Sequence, residues 1–397
     1  MKKFILTAFS AFMGLTACVY EPEQFDGDSG KKSSTATSDI GNLYPINEGK
    51  QICNASVSQD TVNYPGSMLW LNFGGKLNVI APDSQYTTSG VVQHDRLTVS
   101  DTSNTVRWYL MRDTAAGECQ FQDPEWSTHA NFIVALRAYD KSGSKSCENL
   151  DYGIFAARMQ DKKKFWFYEK NIGEFATPHV WVSPDAVVDT TADASTIKGF
   201  FGTDDVRLVY VNGNNEIVFV DLSSGDLKKA VSKAKTLKKP AGVDGWMMDS
   251  PLISPDGRFV VYNVVNSSMN GWNSYVQELS EDSKPIQIPV TEGMMGSPAQ
   301  PHWFKYGERV FVTWAEFPQG AQFVNKNDLT DVSAQDGSAG RTAMREVSLN
   351  AGAPADLQIL WGNDIYELTS VPMIGGRSPD GYFLTTGTNR AYVLQLP

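Results

Sequence analysis

The sequence has few histidines and none of the short motifs that mark several large enzyme classes. Among 397 residues there are only four histidines, far apart in the chain: His94, His129, His179 and His302. The chain has no Gly-x-Ser-x-Gly elbow, which argues against a hydrolase domain of that type. It also has no phosphate-cradling glycine loop followed by Lys and Ser or Thr. Because no Cys-x-x-Cys pair occurs, a zinc or thioredoxin-like site has little support.

Positive charge is also scarce. The chain has 34 Lys and Arg against 45 Asp and Glu, for a formal net charge of −11. This balance argues against nucleic acid as a partner and against a polybasic membrane patch. At the amino terminus an apolar run, Phe4 to Leu15, is too short to span a bilayer as a mature helix.

That run follows two lysines and is typical of a secretion signal. It ends in Leu-Thr-Ala-Cys, residues 15–18, which resembles the lipobox of bacterial lipoproteins. The resemblance implies a signal peptide of residues 1–17 and lipid attachment, such as palmitate, at Cys18, with two acyl signals anchoring the protein stably. Val19 in place of aspartate resembles lipoproteins sorted to the outer membrane, on either the periplasmic or the surface side. A plain signal peptide that contains a cysteine is the alternative.

Residues 18–42 are rich in Ser, Gly, Asp and Glu and poor in apolar residues, which is typical of a flexible tether. Beyond it lie three cysteines, Cys53, Cys119 and Cys147, in a compartment that permits disulfides. An odd number leaves one over. We favour a pair between Cys119 and Cys147, because they flank one predicted strand pair and the loop between them is short. A pair between Cys53 and either of the others stays open.

A strand, a tight turn and a second strand are predicted for SPLISPDGRFVVYNV, Ser250 to Val264. Proline presets φ, aspartate can bond its own backbone, and glycine accepts a positive φ, while the β-branched and aromatic run that follows suits a buried strand. Degraded copies recur at intervals of about 50 to 74 residues. They start at Pro124, Pro178, Pro301 and Gly375.

Each repeat carries further strand candidates, such as YGIFAARM, KFWFYEK, EIVFVDL and SYVQELS. Four strands per unit of this length predict an all-β chain folded as a single β-propeller, with six blades and seven as the alternative. We expect residues 43–121 to form a divergent first blade and residues 122–397 the repeat-bearing blades. A strand from the N-terminal region is expected to complete the last blade and remove an exposed edge.

Several stretches resemble a known family of repeats. WSTH, SPDG followed by RFVVY, and SPDG followed by YFLT resemble TolB-type, WD40-like β-propeller repeats. With the lipobox, DPEWSTH, AQPHWF and the terminal GGRSPDGYFLTTGTNRAYVLQL resemble a paralogous family of propeller lipoproteins in fibre-degrading gut bacteria. The resemblance covers roughly residues 122–397. It implies a fold more than an activity, because such repeats serve scaffolds, binding proteins and enzyme accessory domains alike.

The residue after each leading proline is expected at the central channel, since the strand before the turn is innermost in propellers of this kind. These positions hold Glu125, His179, Leu252, His302 and, in the last unit, Gly376. Glu125, His179 and His302 together raise a metal or acid–base hypothesis, and the oligogalacturonate lyases are similar in holding a metal through several channel histidines. A third equivalent histidine is missing here. We favour hydrogen bonding across blades and predict no cofactor and no metal.

A second group of residues precedes three successive turns or lies between two strands. It consists of Trp246, Met247, Met248, Trp272, Met294 and Met295, and Met373 and Ile374 precede the third turn. If the blades align, these side chains cluster at one mouth of the channel and form a binding face for a protein or a glycan. The alternative is that they plug the channel as core.

The sequence therefore favours a non-enzymatic binding or scaffold protein, anchored at the bacterial cell envelope through its lipid and presenting a loop face to a protein or polysaccharide. The alternative is a metal-dependent polysaccharide lyase-like enzyme with His179 and His302 at its centre.

Overall fold

The structure is a computed structural model of the chain. It describes residues 36–38, 41–50, 52–143, 147–243, 245, 247–265, 272–290, 292, 294–296, 301–306, 308–318, 341–348, 360–369, 373–377, 379, 383–386 and 392–395. The predicted signal peptide, Cys18 and most of the predicted tether lie outside the described residues. In the described part of the chain, no helix is long and apolar enough to cross a membrane.

Strands dominate the described chain. The first fourteen are β1 Ala36–Ser38, β2 Gly41–Pro45, β3 Ile52–Val57, β4 Met68–Asn72, β5 Gly75–Lys76, β6 Ser89–Val91, β7 Arg96–Ser100, β8 Val106–Met111, β9 Glu118–Trp126, β10 Phe132–Asp140, β11 Leu150–Arg158, β12 Lys164–Ile172, β13 His179–Val182 and β14 Val206–Val211. The others are β15 Ile217–Asp221, β16 Lys235–Thr236, β17 Met247–Ile253, β18 Phe259–Val265, β19 Trp272–Glu278, β20 Ile286–Gln287, β21 Met294–Gly296, β22 His302–Tyr306, β23 Arg309–Pro318, β24 Arg341–Ser348, β25 Leu360–Thr369, β26 Met373–Arg377, β27 Phe383–Thr386 and β28 Tyr392–Gln395. Within the described residues, helix is limited to a short turn at Ile46–Gly49, α1 Ile197–Phe201 and α2 Leu227–Ser232.

These strands form successive antiparallel sheets in chain order. The first sheet is β3-β4-β7-β8, the second β9-β10-β11-β12, the third β13-β14-β15-β16 and the fourth β17-β18-β19-β20. In the fifth, β21 and β22 both pair with β23, which is followed by β24 and β25. The last sheet contains β26, β27 and β28 and is extended by β2 and then β1. β5 and β6 form a separate small hairpin.

The core lies between neighbouring sheets rather than at one centre. Leu69 of β4 and Ile133 of β10 belong to one cluster, which joins the first and second sheets. Val261 of β18 and Val312 of β23 belong to another, which joins the fourth and fifth sheets. The first strands of the sheets also contact one another, β3 with β9, β13 with β17, β17 with β22 and β22 with β26. Four-stranded antiparallel sheets that pack face to face with their first strands together form a β-propeller-type fold.

The repeated Ser-Pro-Asp-Gly turn shows why the sequence folds this way locally. Ser254 Oγ donates to Asp256 at 2.5 Å and accepts from the Phe259 N–H at 3.0 Å. Gly257 has φ of 74°, and a Cβ there would lie 2.6 Å from both Trp181 and Arg207. The aspartate therefore holds a turn, and the glycine lets the third sheet approach it.

The first sheet is narrower than the predicted first blade. It runs from β3 to β8, residues 52–111, whereas residues 41–45 belong to the last sheet and β9 of the second sheet begins at Glu118. Both ends of the predicted blade thus serve neighbouring sheets. The pairing of β2 with β28, Leu43 opposite Leu394, is the pairing that the sequence predicts between the N-terminal region and the last unit.

Candidate functional site

Four inner strands share the same backbone irregularity. Asn54, Asp123, Thr177 and Ser250 have positive φ, between 38° and 50°, and in the first, second and fourth sheets the pairing register shifts next to them. In three of the four, the irregular residue directly precedes the leading proline of a repeat. A bulge of this kind redirects the side chains that follow it. It therefore brings the residue after each proline to one place.

Hydrogen bonds link these four positions from sheet to sheet. Asn54 Nδ2 donates to Asp123 Oδ1 at 2.6 Å, the Thr177 N–H donates to Asp123 Oδ2 at 3.4 Å, and the Ser250 N–H donates to Thr177 Oγ1 at 3.2 Å. Burial raises the pKa of Asp123 to about 7, and the charge of Asp249 adds to the rise. These four residues form a polar belt in which Asp123 and Ser250 are buried, and its hydrogen bonds connect one sheet to the next.

A cavity of about 750 Å³ lies next to this belt. Its lining includes four of the five positions that follow a leading proline or its counterpart, Glu125, His179, Leu252 and His302. The fifth, Gly376, lies on β26, the corresponding strand of the last sheet. The structure therefore brings together four residues that occupy equivalent positions in the sequence repeats.

Glu125 is held through one of its two oxygens. Oε1 accepts from the Ser56 hydroxyl and, at 3.1 Å, from the Trp126 N–H. Burial raises the pKa of this carboxyl to about 7, although both hydrogen bonds favour the ionised form. The side chain is half-buried and lines the cavity. It is a titratable group near neutral pH that a ligand can reach.

His179 connects three sheets. Its Nδ1 accepts from the Ile253 N–H of the fourth sheet at 3.0 Å, and the ring also hydrogen-bonds to the backbone of Trp126 in the second sheet. With Nδ1 as acceptor, the ring proton is on Nε2. Burial, followed by the nearby His302, lowers the pKa of His179 to about 3. The imidazole is neutral and engaged across blades, which is the arrangement favoured from the sequence.

His302 is buried at the start of β22, and its backbone carbonyl accepts from Thr313 Oγ1 at 3.3 Å. The two remaining histidines lie elsewhere. His94 is buried against Phe73 in the first sheet, and burial lowers its pKa to about 4; half-buried His129 packs on Phe132. Among the described residues, no group of three or more His, Cys, Asp or Glu side chains is arranged to hold a metal ion.

The cavity is lined by apolar and polar residues in about equal number. Trp303 is half-buried and its indole N–H donates to the Leu252 carbonyl at 2.9 Å, which fixes the ring at the wall. Pro184, Pro255 and Pro379 contribute to the lining from the turns of three sheets. A cavity of this volume, with apolar surfaces beside polar groups, is large enough to receive a small ligand or a peptide side chain.

Polar side chains at the cavity are mostly engaged within the fold. Ser127 Oγ donates to the His129 carbonyl at 2.7 Å, and Thr128 Oγ1 accepts from the Val182 N–H at 3.2 Å. Asp256 is held in its turn. At the rim, Arg309 and Glu346 form an ion pair of 2.7 Å, and Lys305 and Glu308 are exposed.

The predicted loop-face residues lie at the other end of the inner strands. Met247, Met294 and Met373 each begin the first strand of a sheet, β17, β21 and β26, so their predicted equivalence agrees with the strand positions. Met248, however, is buried in the cluster between the third and fourth sheets, with its N–H bonded to Asn215 Oδ1 at 2.7 Å. It is core rather than binding face, because strand alternation turns it towards the neighbouring sheet.

Trp246 lies outside the described residues. Trp272 begins β19, and Met295 lies in β21; of the side chains of Trp272, Met294 and Met295 nothing is described. Cys119 and Cys147 form a disulfide, and Cys53 is buried in β3.

Two residues of the site, Ser56 and Asn54, were not predicted from the sequence. Ser56 occupies in β3 the position that Glu125 occupies in β9, and Asn54 matches Asp123. The first sheet has Ala55 where the second sheet has Pro124, so the proline that marks the other repeats is missing there. The signal that remains, a polar residue two positions before Ser56 in an otherwise apolar strand, is too weak to use alone.

No family model matches the chain, and no curated protein matches it. Solved structures similar to it include an oligogalacturonate lyase in complex with manganese, at 9% identity over 87% of this chain and 76% of that chain, with a TM-score of 0.36. A prolyl endopeptidase is similar at 12% identity over 85% of this chain and 39% of that chain, with a TM-score of 0.39. A functionally unknown protein from Desulfotomaculum acetoxidans is similar at 10% identity over 89% of this chain and 84% of that chain, with a TM-score of 0.38. The chain spans only 39% of the length of the peptidase. At these scores the similarities carry no argument about function, and the fold rests on the sheets themselves.

Proposed function

We propose that this chain is a non-enzymatic binding protein of the bacterial cell envelope, a lipid-anchored propeller of six blades that receives a segment of a protein or polysaccharide in the cavity lined by Glu125, His179, Leu252 and His302. The observation that carries the proposal is the cavity itself, about 750 Å³ in volume and lined by residues of successive sheets. The cavity lies at the inner strands, and propellers commonly bind ligands there.

Closure of the ring is part of the proposal. It is supported by the pairing of β2 with β28 and by the contact between β26 of the last sheet and β3 of the first. With six sheets in sequence, these contacts support a ring in which the last sheet meets the first.

The anchor rests on the sequence alone, on the resemblance of residues 15–18 to a lipobox. Metabolic labelling with palmitate in a bacterial host tests it. The proposal predicts that the wild type is labelled and that Cys18→Ser is not. Equal labelling of the two proteins would contradict the anchor.

The alternative function, a metal-dependent polysaccharide lyase, would use His179 and His302 as ligands. His179 has its Nδ1 engaged by the Ile253 N–H and its ring bonded to the Trp126 backbone. A metal bound through either ring nitrogen would have to displace the contact that this nitrogen makes, which is worth about 1 kcal/mol and links separate sheets. For this reason we propose binding rather than catalysis.

The test is a binding screen against cell-wall polysaccharides and a random peptide library, with the purified full-length chain. Leu252→Trp fills the cavity, and Lys198→Trp, on exposed α1, adds the same side chain elsewhere. We expect ligands that bind the wild type and Lys198→Trp but not Leu252→Trp, with no shortening of bound polysaccharide by mass spectrometry. Equal binding to both variants, or cleavage of a bound polysaccharide, would overturn the proposal.

A further inference from the structure

Glu125 presents to the cavity one carboxylate oxygen, Oε2, for which the described residues supply no hydrogen bond. Both donors to Glu125, the Ser56 hydroxyl and the Trp126 N–H, bond to Oε1. Among the contacts of the described residues, none involves Oε2. Since the side chain is half-buried and lines the cavity, Oε2 is the oxygen presented to a ligand. Oε1, held by two donors, fixes the direction in which Oε2 points.

The surroundings of Glu125 do not suit a ligand rich in hydroxyl groups. His179, Ser127 and Thr128 already use their polar atoms in hydrogen bonds to the backbone. Much of the remaining wall is apolar, with Leu252 and half-buried Trp303. Beside these engaged groups a sugar would regain few of the hydrogen bonds that it makes with water, whereas a hydrocarbon stem would lose none.

The charges of the lining favour a cation. Four acidic side chains line the cavity, Glu125, Asp256, Glu308 and Glu346, against two basic ones, Lys305 and Arg309. Counted as formal charges, four negative against two positive leave −2, and the chain as a whole carries −11. Both fields attract a positively charged partner.

We propose that the cavity binds a lysine or arginine side chain of a protein partner, with Glu125 Oε2 accepting a hydrogen bond from the cationic group and Leu252 and Trp303 packing against its methylene stem. This inference rests on the proposed function of the cavity as a binding site. Charge-assisted hydrogen bonds to a carboxylate are the strongest of the ordinary kinds, and long basic side chains combine an apolar stem with a charged tip. A bound cation also favours the ionised carboxylate, whose pKa burial otherwise raises to about 7.

Matched peptide probes test the inference. Acetyl-Phe-Lys-Phe-amide and its norleucine counterpart differ only in the charged tip, and glucosamine carries a cation on a sugar. Binding of each to the full-length chain is measured by NMR titration at pH 8. We expect the lysine peptide to bind about tenfold to a hundredfold more tightly than the norleucine peptide, and more tightly than glucosamine. Glu125→Gln should abolish the preference for lysine, while Glu281→Gln, which removes the same charge at an exposed site, should keep it.

Three results would overturn the inference. They are equal affinity for the lysine and norleucine peptides, tighter binding of glucosamine than of the lysine peptide, and a preference for lysine that survives Glu125→Gln. If the norleucine peptide binds as well as the lysine peptide and Leu252→Trp abolishes both, the cavity is a binding site without a cation subsite. In that case the proposed function stands and the inference fails.

Discussion

At the residue scale, polar side chains on and beside the inner strands form hydrogen bonds that connect one sheet to the next. His179 connects the second, third and fourth sheets through its two ring nitrogens. A buried backbone donor or acceptor without a partner lowers the free energy of unfolding by about 1–3 kcal/mol. His179 therefore stabilises the fold mainly by pairing the backbone groups of Ile253 and Trp126.

We expect His179→Ala to lower the free energy of unfolding by about 2–4 kcal/mol, since it leaves the Ile253 N–H and the Trp126 backbone unpaired and opens space beside them. Urea unfolding followed by fluorescence measures the change. His129→Ala, at a half-buried ring with one backbone contact from Asn131, should cost less. A loss for His179→Ala no larger than for His129→Ala would show that the connection does not stabilise the fold.

Glu125 makes the stability of the protein depend on pH. Its pKa in the folded protein, about 7, is above its ordinary value of 4.5, so the native state binds the proton more tightly than the unfolded state. The stabilisation is present below about pH 4.5 and is lost as pH rises through 7, by up to about 3 kcal/mol. His94 and His179 act in the opposite direction, because their pKa values of about 4 and 3 lie below the ordinary 6.5. Stability from them is lost as pH falls below about 6.5.

Glu125→Gln should therefore be most stabilising, relative to the wild type, at pH 8 and least so at pH 4. Unfolding free energies at a series of pH values measure this difference, which should change by up to about 3 kcal/mol across the range. Glu281→Gln, at an exposed position, serves as the control and should show no such change. A difference for Glu125→Gln that is constant with pH would contradict the raised pKa.

At the scale of elements, the turn at Ser254 to Gly257 sets how closely the third sheet approaches the fourth. The sequence predicts this turn correctly because its signal is local: serine, proline, aspartate and glycine each satisfy one backbone requirement. It also predicts β14 and β15 on either side of Asn212. The bulge before the turn is different. Asn54, Asp123, Thr177 and Ser250 share a conformation but not a residue type, so their residue types alone do not predict the bulge.

Gly257→Ala should cost more than an ordinary glycine replacement. At Gly257 a Cβ would lie 2.6 Å from Trp181 and Arg207, whereas at Gly242, whose φ of +75° is nearly the same, nothing lies within 4 Å. Gly242→Ala therefore reports the backbone strain alone, about 1 kcal/mol, and Gly257→Ala the strain plus overpacking, about 1–3 kcal/mol more. Thermal unfolding of both variants measures the two costs. Equal losses would mean that the third sheet can move away from the turn without cost.

At the scale of the whole molecule, the sequence predicts the all-β, propeller-type fold because repeats multiply a weak local signal. It places Glu125, His179, Leu252 and His302 together for the same reason. It could not predict that His179 would be neutral and doubly bonded, because its partners Ile253 and Trp126 are backbone groups that carry no sequence signature. It left open whether Met248 lies at a binding face or in the core, because a shift of one residue along a strand moves a side chain to the other side of the sheet.

Closure of the ring can be tested by a cross-link. Leu43 of β2 lies opposite Leu394 of β28, and opposed residues on antiparallel strands are close enough for a disulfide. We expect Leu43→Cys combined with Leu394→Cys to form an intramolecular disulfide on mild oxidation, detected by mass spectrometry after proteolysis. Leu43→Cys with Val393→Cys, one residue out of register, should cross-link less. The reverse order of yields would contradict the pairing.

The most direct test of the central claim, that the inner-strand cavity is the binding site, is fluorine NMR of the full-length chain labelled with 5-fluorotryptophan. A ligand selected by the binding screen is titrated in, and resonances are assigned by single Trp→Phe variants. We predict that the resonance of Trp303, at the cavity wall, shifts with ligand occupancy, while that of Trp70, fully buried in the first sheet, does not. A saturated protein in which the Trp303 resonance has not moved would contradict the claim.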